Sequence, residues 1–356
     1  NAVGFACMLY ATAYVSHLGG PAKFYALLLI MMGGLNAMLL THDLFSLYVF
    51  LEVASIASYV LVAFGLEHDG IESAIKYLLL SAVATSMILV GIALVYMSTG
   101  SLDFGVLRAA LSVQGEGLPA IFLLAGALFI GGFGLKAAVM PFHAWLPDAH
   151  PSAPAPISAM LSGVVIKVAG IYALARIFLH IYPGIGRIQG VFLILGTLSM
   201  VAGALLAYFQ RDFKRMLAYS SISQIGYILI GLGLGNLLGL MGALFHVFNH
   251  ALFKSLLFLN SGAVQYRLHT RDIEEMGGLE NRMPVTGITS VFGTLSIAGV
   301  PPFNGFFSKL FIILGALAAG KMLVAVLAIL VSVFTLGYFL VIQRKVFFGK
   351  LNEKWR

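Results

Sequence analysis

Apolar runs recur along this whole chain, each close to the roughly 20 residues that a helix needs to cross a bilayer core. Only 10% of the residues are charged, whereas soluble domains carry about 25%. Transmembrane β-barrels are instead built from alternating segments of about 10 residues, a pattern unlike the long runs of this chain. The sequence therefore predicts an all-α polytopic membrane protein.

Two of the apolar segments contain residues that break helices. Proline removes a backbone donor and clashes with the preceding turn, so segment 119–144 should be interrupted near Pro141. Segment 285–318 should be interrupted at Pro301 and Pro302 for the same reason. With these two included, about 11 transmembrane helices are predicted, over 2–16, 24–42, 44–66, 74–98, 119–144, 154–181, 187–210, 215–234, 237–265, 285–318 and 322–347.

The two interrupted segments occupy matching places along the chain. Counted from residue 24, each is the fourth helix in a group of five. Interrupted helices at matching positions are typical of transporters built from internal repeats. A five-helix unit ends on the opposite side from its start, so the two repeats should be inverted. The predicted units are a partial N-terminal helix at 1–23, a first five-helix inverted repeat at 24–183, a second at 184–349 and a cytoplasmic tail at 350–356.

Lysine and arginine in the connecting segments are divided unequally between the two sides of the membrane. The poorer side has Arg108, Arg176, Arg187 and Lys321. Cytoplasmic loops are usually the richer in both residues, so the other side and the C-terminal end of this chain are predicted to be cytoplasmic. That richer side holds Lys23, Lys76, Arg211, Lys214, Arg215, Arg267, Arg271, Arg282, Arg344, Lys345, Lys350, Lys354 and Arg356.

Several ionisable residues lie inside the apolar segments. A charge at the bilayer centre costs about 2.5–3.5 kcal/mol on insertion scales, so a group of such residues favours a functional role. His246, His250 and Lys254 are spaced four residues apart and therefore lie on one helix face. Histidine titrates near neutral pH, which suits proton transfer. The predicted chemistry is a relay for protons or similar cations. Its candidate residues are Glu52, Lys136, Lys167, His246, His250, Lys254 and Lys309.

The residues alone leave other interpretations open for this group. Glu52 beside a lysine could form a purely structural ion pair. His246 and His250 could bind zinc, although no third ligand is near them in sequence. The relay is preferred for both histidines, and no metal site is predicted.

Four further residues are secondary candidates. Lys76 and Lys214 lie near predicted helix ends, where a lysine can extend its ammonium to the membrane interface. The proline-rich stretch HAWLPDAHPSAPAP should not form regular helix. Within it, His143 could relay protons and Asp148 could cap the helix that follows.

Once these residues are set out, the sequence resembles the antiporter-like subunit family. This family includes the proton-pumping membrane subunits of respiratory complex I, the large subunits of Mrp-type cation/proton antiporters and their counterparts in membrane-bound hydrogenases. The resemblance covers essentially the whole chain and implies that the first two family helices are missing from this fragment. It rests on FGLKAAVMPFHAWLPDAHPSAPAPISAMLSGVVIKVAGIYALARI, RDFKRMLAYSSISQIGYILIGL, FNHALFKSLLFLNSGAV and GVPPFNGFFSKLFI.

The resemblance implies a role for individual residues. Glu52 matches the family's essential glutamate, and Lys136 matches the lysine that this glutamate modulates. Lys167 matches the central relay lysine, while Lys254 falls with His250 on the eleventh family helix. Lys309 occupies the exit-side position, where members carry either lysine or glutamate.

These matches predict a proton-translocating subunit of a redox-driven complex in the cell membrane, of the complex I or membrane-bound hydrogenase type. The alternative is a D-type component of an Mrp Na⁺/H⁺ secondary antiporter. The sequence has no nucleotide-binding loop, and its single cysteine, Cys7, cannot ligate an iron–sulfur cluster alone. No cofactor is therefore predicted, and electron transfer would occur in partner subunits. The expected partners are further antiporter-like subunits, redox subunits and lipid, with no nucleic acid.

Overall fold

The computed structural model describes residues 1–15, 19–112, 119–182 and 186–350, and within these ranges the chain is almost entirely helical. Residues 351–356 of the predicted tail at 350–356 and the side chain of Arg187 lie outside the described part. The helices are α1 (Ala2–Tyr14), α2 (Pro21–Leu40), α3 (Leu44–Val62), α4 (His68–Thr99), α5 (Phe104–Ser112), α6 (Ala120–Lys136), α7 (Leu146–Ser152), α8 (Ala155–Ile181), α9 (Gly186–Tyr208), α10 (Phe213–Gly233), α11 (Leu237–Leu268), α12 (Pro284–Ala298), α13 (Asn304–Ala318) and α14 (Met322–Phe348).

The prediction of a helical membrane protein is confirmed. Eight helices in the described part of the chain are long and apolar enough to cross a membrane, and α1, α6, α12 and α13 are shorter apolar helices. Helices α10 and α8 form the centre, because 94% and 83% of their apolar windows are buried. Helices α2, α4, α9 and α14 are only 33–39% buried and form the periphery.

Both expected interruptions are present. Helix α6 ends at Lys136, before Pro141, and the break contains Ala138 with a φ of 54°. The second break separates α12 from α13 and contains Gly299 with a φ of 78°. Each break also contains one cis peptide bond, at Met140–Pro141 and at Pro301–Pro302.

Three local details differ from the sequence prediction. The proline-rich stretch contains a short regular helix, α7, because Pro147 lies in its first turn, where no amide donor is needed. Helix α8 includes π-helical turns, among them Leu161–Val165 and Lys167–Tyr172. Helix α5 was not predicted, since its nine residues are too few to span a membrane.

An offset of 169 residues relates several elements of the two halves of the chain. An isolated bridge between Asp43 and Asp103 has a counterpart between Asp212 and Asp272, each partner displaced by 169 positions. Asp43 and Asp212 also cap the helices α3 and α10 by accepting a bond from the amide three residues ahead. Helices α4 and α11 show the same displacement, from 68–99 to 237–268.

The offset helices run in opposite directions. Val62, at the end of α3, and Lys214, in the first turn of α10, line the same pocket. Equivalent helices thus have opposite ends at one side of the molecule, which is the relation expected of inverted units. Near that side Asp148 contacts both Lys76 and Arg215, so basic residues from separate segments meet there.

Candidate functional site

Lys136 lies at the C-terminal end of α6, enclosed by α3 and α4. Its ammonium donates to the Ser55 hydroxyl at 2.8 Å, to Ser81, and to the Tyr59 hydroxyl at 3.4 Å. The Glu52 Oε1 atom is 3.5 Å from the Lys136 nitrogen, which is an ion-pair separation rather than a direct hydrogen bond. The structure therefore brings the predicted Glu52–Lys136 pair together and surrounds it with hydroxyl groups.

Aromatic packing fixes the break next to Lys136. The Trp145 indole donates to the Leu135 carbonyl at 2.9 Å and stacks on Tyr77 with a ring separation of 4.1 Å. On the other side, α8 approaches closely, because a Cβ on Gly170 would lie 2.4 Å from that of Ala137. The same helix carries Lys167 one turn before Gly170, so Lys136 and Lys167 lie on two helices that pack directly against each other.

Lys167 turns back along its own helix. Its ammonium donates to the carbonyl of Ser162 and, at 2.8 Å, to that of Gly163. These acceptors lie in a π-helical turn, a feature that is often found at functional positions. The Ser162 hydroxyl is in turn 2.8 Å from that of Ser221 on α10, which connects α8 to the central helix.

Lys254 on α11 contacts the same stretch of α10. Its ammonium donates to the Leu217 carbonyl at 2.8 Å and to the Ser220 hydroxyl, and the side chain is fully buried. Ser221 also donates to the Leu217 carbonyl, at 2.9 Å. Lys254 and the Ser162–Ser221 pair therefore meet at one carbonyl group.

His246 joins α11 to α10 and α13. One ring nitrogen is 2.9 Å from the Ser308 hydroxyl, and the other is 3.2 Å from the Gln224 side-chain oxygen. His250 lies one turn further on, with its ring centre 6.3 Å from that of His246, and both of its buried nitrogens have no hydrogen-bond partner. In the described part of the chain, no group of three metal-ligating side chains is arranged around them.

Lys309 lies beside the second break. Its ammonium donates to the carbonyls of Ile297 at 2.8 Å and Ala298 at 3.3 Å, at the end of α12, and to the Ser332 hydroxyl at 3.2 Å. The nitrogen is also 4.7 Å from the centre of the Tyr227 ring. Lys309 thus has a helix C-terminus and an aromatic face as its electrostatic partners.

The secondary candidates differ from their predictions in two cases. Lys214 does not extend to the interface: it is 2% exposed and donates to the Ala153 carbonyl at 3.0 Å. Asp148 does not cap α8, whose N-cap is Pro154, because its carboxylate contacts two cations instead. Lys76 is half exposed, as expected of a lysine near a helix end, and lies 2.8 Å from Glu72.

His143 is partly exposed, and its Nδ1 atom lies 3.2 Å from the Pro141 carbonyl. It belongs to the first break, yet its ring is 6.3 Å from Tyr219 on α10. Its position keeps it a candidate, although its described contacts do not include the buried lysines.

Sequence reasoning missed most of the neutral partners. Serine and threonine are common in membrane helices, so no local signal separated the hydroxyls that contact lysines from those that bond to their own helix. The 169-residue offset would have helped, because it aligns polar positions of α4 with those of α11. The missed partners are Ser55, Tyr59, Ser81, Ser162, Ser220, Ser221, Gln224, Tyr227 and Ser308.

The arrangement is suited to passing protons. Among the described residues, no carboxylate lies within 4 Å of the ammonium groups of Lys167, Lys254 or Lys309. A buried amine without a counter-charge exists more readily in its neutral form than one in water, so it can accept and release a proton. Hydroxyls and imidazoles lie between these amines and can both donate and accept hydrogen bonds.

Residues 41–335 match a protein family described as NADH:quinone oxidoreductase/Mrp antiporter, TM. The chain is 39% identical over 341 residues to NADH-quinone oxidoreductase subunit N of Desulforudis audaxviator, covering 94% of this chain and 67% of that protein. It is 35% identical to the D component of an Na⁺/H⁺ antiporter of Alkalihalophilus pseudofirmus. That similarity covers 98% of this chain and 70% of the antiporter component.

Its fold is similar to that of a chain in the membrane-bound sulfane sulfur reductase, an archaeal respiratory membrane complex. The TM-score is 0.92 with 35% sequence identity, and the similarity covers 99% of this chain and 72% of that one. In all three comparisons, part of the longer protein has no counterpart in the chain described here.

Proposed function

Since this chain belongs to the NADH:quinone oxidoreductase/Mrp antiporter membrane-subunit family, we propose that it is a proton-translocating subunit of a redox-driven ion-pumping complex. The observation that carries the proposal is the buried row of amines, imidazoles and hydroxyls from Lys136 to Lys309. Such a row is costly inside a membrane, and ionisable residues buried there usually mark an ion or proton pathway. The chain itself would carry out no redox chemistry.

The proposed route has two linked halves. Protons reach Lys167, beside the Glu52–Lys136 pair, and continue along the face of α11 that carries Lys254. They leave near Lys309, with His246 and His250 between. The proposed repeats at 24–183 and 184–349 would each supply one half of this route.

The Glu52–Lys136 pair is the proposed point of coupling. A carboxylate close to a buried ammonium favours its charged form, and separating the two groups removes that effect. A change in a partner subunit that draws Glu52 away from Lys136 would therefore make Lys136 release its proton. His143, Asp148, Lys76 and Lys214 are proposed as supporting residues at the side with more basic residues.

The orientation is proposed from charge. The side where Lys76, Arg215 and Asp148 meet would face the cytoplasm, because basic residues concentrate in cytoplasmic loops. The C-terminal end of this chain would then also lie in the cytoplasm. The expected partners are further antiporter-like subunits and redox subunits in the cell membrane.

Substitution of Lys167 tests the translocation proposal. Lys167→Ala removes the central amine, so proton translocation by the reconstituted native complex should fall at least tenfold, a change of about 1.4 kcal/mol in the barrier. A pH-sensitive dye inside vesicles measures the rate. Lys23→Ala, at an exposed lysine near the start of α2, is the matched control and should have no effect. Unchanged translocation in Lys167→Ala would refute the relay.

The second candidate function is a component of an Mrp-type Na⁺/H⁺ antiporter. It is favoured by the similarity to the D component of the Alkalihalophilus pseudofirmus antiporter, which covers 98% of this chain. Gentle purification of the native complex with mass spectrometry of its partners distinguishes the two. Iron–sulfur, nickel–iron or quinone-site subunits would assign the chain to a redox complex. Small hydrophobic antiporter subunits without redox proteins would assign it to a gradient-driven exchanger.

A further inference from the structure

The two buried lysines of the second half each donate to a serine hydroxyl on a neighbouring helix. Lys254 donates to Ser220 on α10, and Lys309 donates to Ser332 on α14 at 3.2 Å. Among the described residues, neither amine is hydrogen-bonded to a histidine of α11. The direct bonds of both amines therefore lead to hydroxyl groups on α10 and α14 rather than to the imidazoles.

Three hydroxyl residues follow one another along α14. Ser332, Thr335 and Tyr338 are spaced three residues apart, and residues at this spacing are neighbours on a helix surface. Thr335 is fully buried and Tyr338 is 3% exposed. Ser332 also donates to the Ala298 carbonyl at 2.7 Å, at the second break. The row thus begins beside Lys309 and continues inside the protein.

Tyr338 is the member of this row that approaches α10. Its hydroxyl oxygen lies near the hydroxyls of Ser220 and Thr335, yet in the described part of the chain it has no hydrogen-bond partner. Buried polar atoms in proteins are nearly always hydrogen-bonded, and a tyrosine hydroxyl can both donate and accept. A buried hydroxyl without a fixed partner can turn toward either neighbour. Tyr338 is therefore placed to connect Ser220 with Thr335.

Tyr227 lies beside the row and has a different role. Its hydroxyl donates to the Ala328 carbonyl at 2.6 Å, and its ring faces the Lys309 ammonium. The hydroxyl is therefore held by a backbone acceptor, while the ring serves the cation. Of these two tyrosines, Tyr338 is the one whose hydroxyl is available for proton transfer.

The histidine side of the relay is less continuous. His250 lies one turn before Lys254 on α11, and its ring centre is 6.3 Å from that of His246. Among the described residues, neither nitrogen of His250 has a hydrogen-bond partner. His246 reaches α13 through Ser308, the residue before Lys309. A proton that leaves Lys254 therefore has two directions available, along the imidazoles of α11 or along the hydroxyls of α10 and α14.

We propose that a hydroxyl branch runs parallel to the histidines and carries protons from Lys254 to Lys309. Its members are Ser220, Tyr338, Thr335 and Ser332. The inference rests on the proposed function and adds a second connection within it. At each hydroxyl, one O–H bond forms as a proton arrives and another breaks as a proton leaves. The Lys254 ammonium becomes an amine, the Lys309 amine becomes an ammonium, and the hydroxyls end with as many protons as they had.

Combined substitutions distinguish two parallel branches from a single path. His250→Phe removes the imidazole and Tyr338→Phe removes the phenol hydroxyl, and each keeps an aromatic ring. In the reconstituted native complex, each single variant should stay within about twofold of the wild-type translocation rate, whereas the double variant should fall at least about tenfold, more than the product of the single losses. A pH-sensitive dye inside vesicles measures the rates. Near-wild-type single variants also show that the complex is intact.

Thr335 gives a second measurement that does not alter an aromatic residue. In the His250→Phe background, Thr335→Val removes the middle hydroxyl and should reproduce the loss. Thr335→Ser keeps the hydroxyl and should retain the rate of His250→Phe. Tyr182→Phe removes a buried hydroxyl that donates to the Phe122 carbonyl in the first half, and in the same background it should add no loss.

The results separate this inference from the proposed function. Double variants that lose no more than the product of the single losses would overturn the hydroxyl branch, and so would a tenfold loss in His250→Phe alone. If Lys167→Ala abolishes translocation and the double variants behave in this way, the proposed function stands and the inference fails. If Lys167→Ala has no effect either, both fail.

Discussion

The two helix breaks place a lysine in similar surroundings but balance its charge differently. Lys136 has a carboxylate, Glu52, at 3.5 Å, and that side chain is 28% exposed at the edge of the bundle. Lys309 has the carbonyls that end α12 and the ring of Tyr227. A carboxylate on a flexible side chain can move away, whereas carbonyls and a buried ring are fixed. The comparison suggests that the first break responds to partners and the second provides a constant environment.

The largest expected effect is at Glu52. Glu52→Gln keeps the shape but removes the movable charge, so proton translocation by the reconstituted complex should fall about tenfold or more. Glu274→Gln removes the carboxylate of an exposed ion pair with Lys345 and should change little. Equal rates in the two variants, measured with a pH-sensitive dye, would mean that the first break does not depend on its carboxylate.

A second test concerns the rigidity of the second break. The side-chain oxygen of Asn304 accepts a hydrogen bond from the Ser296 hydroxyl at 2.5 Å, and its side-chain amide donates to the Asn249 side-chain oxygen at 2.9 Å. The Asn249 amide in turn donates to the Asn304 backbone carbonyl. Asn304→Ala leaves buried partners unsatisfied and should destabilise the complex by about 2–4 kcal/mol. Asn36→Ala, which removes one exposed hydrogen bond, is the control. Thermal unfolding in detergent measures both, and similar stabilities would contradict a rigid second break.

A smaller effect is expected from the aromatic partner of Lys309. Tyr227→Leu removes the ring, and such a cation–π contact is worth about 0.7–1.4 kcal/mol, so translocation should fall roughly threefold to tenfold. Tyr227→Phe keeps the ring and removes the hydroxyl, which donates to the Ala328 carbonyl, and translocation should stay within about twofold of the wild-type rate. If the two variants lose translocation equally, the hydroxyl rather than the ring is the important group.

The smallest effect concerns the backbone of the two breaks. Ala138 and Gly299 both have positive φ, which costs an alanine about 1–2 kcal/mol but not a glycine. Ala138→Gly should therefore change stability by less than about 1 kcal/mol, since the relieved strain is offset by glycine entropy. Gly299→Ala should destabilise by about 1–2 kcal/mol, because its new Cβ would also lie 3.0 Å from Lys309. Thermal unfolding of the two variants gives the comparison, and equal losses would contradict it.

The sequence anticipated the buried residues better than their partners. The residues alone indicated that Glu52 needs a cationic partner, and the family resemblance implied that this partner is Lys136; the two groups lie 3.5 Å apart. Lys214 was wrongly expected at the interface, since position near a helix end does not reveal that α7 and α8 cover it. The sequence left open whether Asp148 caps α8; its carboxylate instead contacts two cations, which come from α4 and α10 and are far away in sequence.

By itself the sequence determined the class of protein and the places where its helices break. Those properties depend on local chemistry: a bilayer requires long apolar helices, and a proline beyond the first turn removes a backbone donor and interrupts a long helix. Only the tertiary structure decided which groups balance each buried lysine, how the offset helices run against each other, and where the pocket beside Lys214 lies. These depend on contacts between residues such as Lys136 and Ser55, or Lys254 and Leu217, whose spacing along the chain carries no local signal.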